Sequence, residues 1–198
     1  MVQRAPRSPV FRRRAVIAGA GALALLGRGA RAGTKAALGE DGLYQMDWYL
    51  QSFLDLAEDL SAATAAGKRF AVLWGLRGCP ACKRMHEVHL TRPAIAGYIR
   101  DNFDVLHLNI LGSREVTDFD GTRIGEKAFA ERYGVRGTPT IQFFPESPST
   151  LAGKKPVERE VARLPGLPEP PEFVAMFRYV RDKAYESGTF EDYLKGSG

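Results

Sequence analysis

Apolar residues fall along this chain in runs of two different periods, and the period of each run assigns an element. From Asp47, a residue suited to capping, Leu50, Phe53, Leu54, Ala57 and Leu60 recur at helical spacing, and Gly67 closes the predicted helix. Phe70-Ala71-Val72-Leu73-Trp74 is nearly continuous in apolar character, as a central strand buried on both faces should be. The turn Gly75-Leu76-Arg77-Gly78 leads into a helix predicted from the Cys79-Pro80-Ala81-Cys82 segment to Val88, and Pro93 opens another that reaches Arg100. Phe103 to Ile110 reads as a strand with Leu106, Leu108 and Ile110 facing one way. Leu111 to Gly125 reads as a polar loop with a turn at Asp120-Gly121, and Glu126 to Tyr133 as a short helix stopped by Gly134. Thr140 to Phe144 is a strand, joined through a Gly153-Lys154-Lys155 turn to a second at Val157 to Leu164, which together predict a hairpin. After the break Pro165 to Pro171, a last long helix carries Phe173, Met176, Phe177, Val180 and Ala184 on one face, and Phe190 to Leu194 adds a turn. The order helix, strand, helix, strand, helix, strand, strand, helix predicts an α/β protein of three layers, α/β/α, around a central mixed sheet.

The 198 residues suffice for one domain and an appendage, and ordinary charged and apolar fractions exclude disordered and collagen-like chains. The formal charge of +5 suggests an anionic partner until its distribution is read. Seven arginines and no acid lie within residues 1–32; without them, 21 basic residues face 23 acidic ones, a net charge of −2. No nucleic-acid role is therefore expected. Residues 1–32 have the parts of a secretory signal: an Arg-rich start to Arg14, an apolar stretch from Ala15 to Leu26, and small residues in Ala30-Arg31-Ala32. As a helix the apolar stretch covers about 18 Å, short of the hydrocarbon core of a bilayer at about 30 Å. Cleavage after Ala32 is expected, with no stable membrane insertion afterwards, and Arg12-Arg13-Arg14-Ala15-Val16-Ile17 also fits a twin-arginine signal. The expected organisation is a signal peptide at 1–32, a flexible segment at 33–43 and one domain at 44–195. The mature chain belongs in a compartment where disulfides form.

The chemistry centres on the only two cysteines, Cys79 and Cys82, separated by two residues at a helix start. That position turns the first thiol toward the unpaired N–H groups of the opening turn, which stabilise the thiolate used in exchange. Pro80 suits the first helical position, so Cys79 is expected to be an exposed N-cap and Cys82 a protected residue one turn inward. Cys79 attacks a substrate disulfide, and Cys82 resolves the mixed disulfide. A structural disulfide closing so small a loop stabilises little, and haem attachment needs His where Lys83 stands. Zinc is the competing reading, because Cys79, Cys82, His86 and His89 form a local cluster. Four ligands from one helix make a strained tetrahedral site, so no resident metal and no cofactor are expected.

The second element is Gly137-Thr138-Pro139-Thr140, a proline at the start of a strand, where a cis bond is a common reason for its place. Trp74 to Cys82 followed by Gly137-Thr138-Pro139 resembles the thioredoxin superfamily across residues 44–195. Cys82-Lys83-Arg84-Met85-His86-Glu87-Val88 extends the resemblance, together with Asn109-Ile110, Arg114-Glu115-Val116-Thr117-Asp118-Phe119-Asp120-Gly121 and Met176-Phe177-Arg178-Tyr179-Val180. These strings are similar to the periplasmic thioredoxins of bacterial sulfur-oxidation systems, the SoxW-like proteins. The resemblance implies a thioredoxin fold and a groove formed by Pro80, Ala81, Thr138 and a cis Pro139, where the Thr138 backbone pairs with an extended substrate. It also implies a periplasmic location, a membrane thiol-electron donor, and sulfur-carrier or cytochrome-maturation proteins as the disulfide substrates.

One departure stands out. Cytoplasmic thioredoxins carry a buried acid on the strand before the cysteines, and the matching position here is Leu73. His86, Glu87 or water is left to serve Cys82 as proton acceptor, with Trp74 expected in the core or on the rim of the site. Trp48 is expected to pack the first helix, and Asp118-Phe119-Asp120-Gly121 to be a turn with Asp side chains capping backbone rather than a calcium loop. Two rivals stand beside the reductase. One is a general dithiol oxidant or isomerase, although Pro80-Ala81 adds no charge to stabilise a strong oxidant's thiolate. The other, of a different class, is a redox-inert module binding peptide or zinc.

Overall fold

A computed structural model describes residues 36–196, together with Met1. The expected signal peptide therefore lies, Met1 aside, outside the described residues. In the lead-in, Ala37–Leu38 (β1) pairs antiparallel with Tyr44–Gln45 (β2). There follow Leu56–Ala65 (α1), Arg69–Gly75 (β3), Pro80–Arg84 (α2), a π-helical turn at Met85–His89, Pro93–Asn102 (α3) and Phe103–Asn109 (β4). Glu115–Thr117 (β5), Arg123–Gly125 (β6), Glu126–Arg132 (α4), Thr140–Phe143 (β7), Ala162–Pro165 (β8), Pro170–Arg181 (α5) and Phe190–Gly196 (α6) complete the order.

The central sheet runs β4-β3-β7-β8, with β3 and β4 parallel and β7 and β8 each antiparallel to its predecessor in that order. It is the mixed sheet that the sequence order predicts. The alternation of β3 divides the core in two. Ala71 and Leu73 face a cluster with Met85, Ile99, Phe173 and Phe177, under the α2 turn, α3 and α5. Phe70, Val72 and Trp74 face Leu60, Leu106, Phe129 and Tyr133, under α1 and α4. The outer edge of β4 is occupied by single bonds rather than by a strand. Val105 O accepts from Leu50 N–H at 2.9 Å, His107 O from Arg114 Nη2 at 3.1 Å, and Asn109 N–H donates to Glu126 Oε1 at 2.9 Å.

Several boundaries differ from the sequence expectation, each for a local reason. The first helix begins at Leu56, not after Asp47, because Asp55 is the true N-cap, accepting from Ala57 N–H and Glu58 N–H. Just before it Leu54 sits at φ 64°, a left-handed conformation that no helix continues through. Phe53, assigned to that helix by spacing, is fully exposed, and Trp48 packs edge-on against Tyr49 ahead of the helix. The polar loop 111–125 contains the β5–β6 hairpin, turning through Gly121 at φ 79°. Val157 lies in a single 3₁₀ turn, so the second strand of the predicted β7 hairpin is only Ala162–Pro165. The last long helix stops at Arg181, and Ala184 belongs to a separate 3₁₀ turn after Lys183 at φ 56°.

The 111–125 segment is held by buried ions. Glu126, almost fully buried, accepts from Arg114 Nη2 at 2.6 Å. Asp118 accepts from Tyr133 O–H at 2.7 Å and pairs with Arg132 and Arg159, each at 3.0 Å. Both Asp118 and Asp120 cap backbone as the turn reading expects, at Phe119 N–H and Thr122 N–H respectively.

Candidate functional site

The end of β3 delivers the chain to the opening of α2, and the cysteines occupy that opening. Cys79 is the extended N-cap of α2, with Pro80 at the first helical position. Cys79 and Cys82 are joined as a disulfide with Cα atoms 5.3 Å apart. Cys79 Sγ accepts the Cys82 backbone N–H at 3.0 Å, so an orphan donor of the first turn is already aimed at that sulfur. The expectation of an exposed Cys79 needs correcting: it is 8% exposed against 3% for Cys82, so both are buried and Cys79 is the more accessible. Its two neighbours, Gly78 at φ 74° and Pro80, are both exposed.

The Thr138–Pro139 bond is cis, and Thr138 O lies 3.5 Å from Cys79 Sγ. A groove lined by Arg136, Gly137, Thr138, Pro139, Pro165 and Gly166 runs beside this contact. Ala81 and Thr138 are half-buried, and Pro139 is buried. Thr138, 59 positions along the chain, thus comes to lie against Cys79. Of the four residues expected to form the groove, Thr138 and Pro139 line it, whereas Pro80 and Ala81 stay on the α2 side of the Cys79–Thr138 contact.

Behind Cys82 lies a cluster that the sequence reading only half identified. His86 is fully buried; its Nδ1 is 2.8 Å from Cys82 O, and its Nε2 is 2.8 Å from Tyr49 Oη. A carbonyl can only accept, so Nδ1 carries the proton and Nε2 accepts from the tyrosine. Burial pushes the imidazole down to about 4 against the opposing bond to Cys82 O, which keeps it neutral. His86 also stacks on Tyr44 and on His107, each at 5.7 Å between ring centroids, and Tyr49 meets His107 edge-on at 5.4 Å. His107 is in register with Leu73, which is buried and apolar as expected. Room for the His107 ring comes from Gly75, where any Cβ would lie 2.4 Å from His107 Nε2.

The other tuning residues are placed elsewhere. Glu87 stands exposed on its helix. Trp74 is wholly in the core on the opposite face of β3, where Nε1 donates to Gln142 Oε1 and the ring packs on Phe129. The zinc quartet is not assembled: His89 Nε2 donates to Pro168 O, and its ring meets Phe173 edge-on. Among the described residues no group of three or more His, Cys, Asp or Glu side chains is placed to hold a metal ion, and no helix is long and apolar enough to cross a membrane. Sequence reasoning does not reach Tyr44, Tyr49 or His107; the one signal is His107 between Leu106 and Leu108, on the strand face that also carries Phe103 and Val105.

The depressed His86 value has a consequence for stability with a definite sign. A folded pKa below the unfolded 6.5 stabilises above that pH, and the contribution is lost as pH falls toward 4. Denaturant unfolding of the oxidised chain is expected to weaken from pH 7 to pH 4, by about 3 kcal/mol from His86 alone. A midpoint independent of pH across this range would contradict the burial of a neutral His86.

A family model described as a thioredoxin-like domain matches residues 56–181. A thioredoxin-fold protein from Helicobacter pylori superposes with a TM-score of 0.54 at 20% identity, covering 75% of this chain and 87% of its own. A thioredoxin from Thermus thermophilus is 28% identical, with a TM-score of 0.47 over 64% of this chain and 83% of its own. No curated protein matches significantly.

Proposed function

The chain belongs to the thioredoxin-like domain family, and from that membership we propose that it is a thiol–disulfide oxidoreductase working through Cys79 and Cys82. The observation that carries the reading is Cys79 at the helix N-cap, its sulfur receiving the Cys82 N–H and standing beside Thr138 O. In the reduced chain the same donor and the helix dipole stabilise a Cys79 thiolate, the attacking form. That thiolate attacks a sulfur of the substrate disulfide, whose other sulfur departs. Cys82 then attacks Cys79 Sγ, restoring the internal disulfide and releasing the reduced substrate. Thr138 and Pro139 flank the attacking sulfur, so an extended substrate segment is held against the backbone at Thr138.

The finer reading is an exported periplasmic dithiol reductase, cleaved after Ala32. It draws electrons from a membrane thiol donor and serves sulfur-oxidation or cytochrome-maturation proteins. Its support is the Arg-rich start, the short apolar stretch, Ala30-Arg31-Ala32 and the sequence strings quoted above. The test is partner capture. Cys82→Ser, expressed in the native compartment, should accumulate a reductant-sensitive adduct whose mass spectrum names a sulfur-carrier or cytochrome-maturation protein. The intact mass of the purified chain should begin at Gly33. A broad mixture of secreted proteins would instead identify a general oxidant, and a full-length membrane-bound species would refute export with cleavage.

A further inference from the structure

His107 has no part in the exchange steps above, yet it is placed as few buried side chains are. It is 6% exposed, and neither ring nitrogen makes a hydrogen bond of good geometry, although the Tyr44 backbone favours its charged form. A buried polar group left in that state costs about 1–3 kcal/mol. Leucine would fill a purely structural position better, and β3 gives up a side chain at Gly75 to admit the imidazole.

Two connections give the ring a purpose. Toward the cysteines, His107 stacks on His86, whose Nδ1 donates to Cys82 O, so packed and bonded groups link His107 to the resolving residue. Away from them, His107 lines a cavity of about 230 Å³ with Gln45, Tyr49, Ser52 and Arg114, polar and roomy enough for several waters. The groups facing His107 are His86 and Tyr49, with Tyr44 from the lead-in and Arg114 on the cavity side. Arg114 bonds His107 O and is balanced by the buried Glu126; the β3 residues beside His107, Leu73 and Gly75, carry no charge. With the disulfide closed neither sulfur is a thiolate, and burial, then His86 and Arg114, push His107 down to about 3.

We propose that His107, acting through His86, is the positioning group that sets the proton affinity of Cys82 during resolution, an inference that rests on the exchange chemistry proposed above. In that step Cys82 loses its proton, its sulfur bonds to Cys79 Sγ, and the bond between Cys79 and the substrate sulfur breaks. The dithiol is oxidised and the substrate reduced, leaving as a thiolate. As the Cys82 thiolate forms, His107 takes up one proton, so the buried site holds a matched pair of charges instead of a lone anion. Once the sulfurs join, the anion is gone. His107 then returns its proton through the cavity, and the departed substrate thiolate takes one up.

The test separates the two thiols in time. Reduced full-length chain is mixed with an aromatic disulfide whose leaving thiolate is coloured; attack by Cys79 releases the first coloured thiolate and resolution by Cys82 the second. His107→Leu should slow the second phase about tenfold or more near neutral pH and move its pH profile upward. His107→Gln keeps the size and polarity but cannot titrate, and should do the same. In the unaltered chain, NMR titration of the ring should find the His107 pKa higher by about three units or more once Cys82 has ionised in the reduced form, enough to hold a proton near neutral pH. An unchanged second phase in both variants, or an identical His107 titration in the two redox states, overturns the inference. A missing first phase in the unaltered chain would sink the exchange reading itself.

Discussion

Cys79→Ser is expected to abolish turnover of protein disulfides, whereas Cys82→Ser should permit one attack and then stall. The asymmetry follows from the helix start. Cys79 holds the N-cap position and the greater access, and its sulfur receives a backbone N–H, while Cys82 is turned toward the core. A hydroxyl at position 79 is protonated at neutral pH and does not attack disulfides, so insulin reduction should fall about a thousandfold or more, to background. Cys82→Ser keeps the attacking thiolate and loses the resolving sulfur. Mixed with a labelled peptide disulfide, it should yield one equivalent of covalent adduct that dithiothreitol releases. Equal trapping by the two variants, or none by either, would show that Cys79 is not the attacker.

Asp118→Ala should destabilise the fold by about 3–5 kcal/mol, more than any surface substitution in this chain. The Asp118 carboxylate is wholly buried and faces Arg132, Arg159 and the Tyr133 hydroxyl at once. Arg159 is itself only 5% exposed, so removing the carboxylate strands much of a buried cation. Tyr133 reports the same network: burial first, then Asp118, push its phenol far above the usual range. Asp120 differs. Burial would raise its carboxyl, but the Arg159 and Thr122 bonds outweigh that and hold it well below the usual range. With its more open position, Asp120→Ala should cost about 1 kcal/mol. Urea midpoints at constant slope measure both, and equal losses would contradict the assigned burial.

The parts of the site that were legible in sequence are the parts encoded over short spans. Two cysteines three apart with Pro80 between them specify a helix start by local geometry alone, and Pro139 at a strand entrance specifies the opposing wall. The His86–His107–Tyr49 cluster was not legible, because its members meet only once β4 lies beside β3 and the segment before α1 bonds the edge of β4. The missed helix boundary has another cause. Leu50, Leu54 and Leu60 satisfy a helical period, yet nothing in the letters marks Leu54 as left-handed. The signal that did exist was Asp55 followed three residues later by Glu58, a cap pattern stronger than the periodicity that obscured it. Similarly, Asp118 and Asp120 read correctly as turn residues, while Arg132 and Arg159 come to them from elements that no local pattern connects.

The bonds along the outer edge of β4 bear on how copies of this protein behave when crowded. Val105 O, His107 O and Asn109 N–H are already taken by Leu50, Arg114 and Glu126. A stray strand from another molecule finds those three rungs occupied. The remaining edge, β8, is four residues long, bears Arg163 and ends in Pro165, which has no N–H to offer. Sheet-to-sheet aggregation is thereby confined to one short, interrupted edge. Damage that frees Arg114 from Glu126 would open part of a second, longer edge to a strand from another molecule.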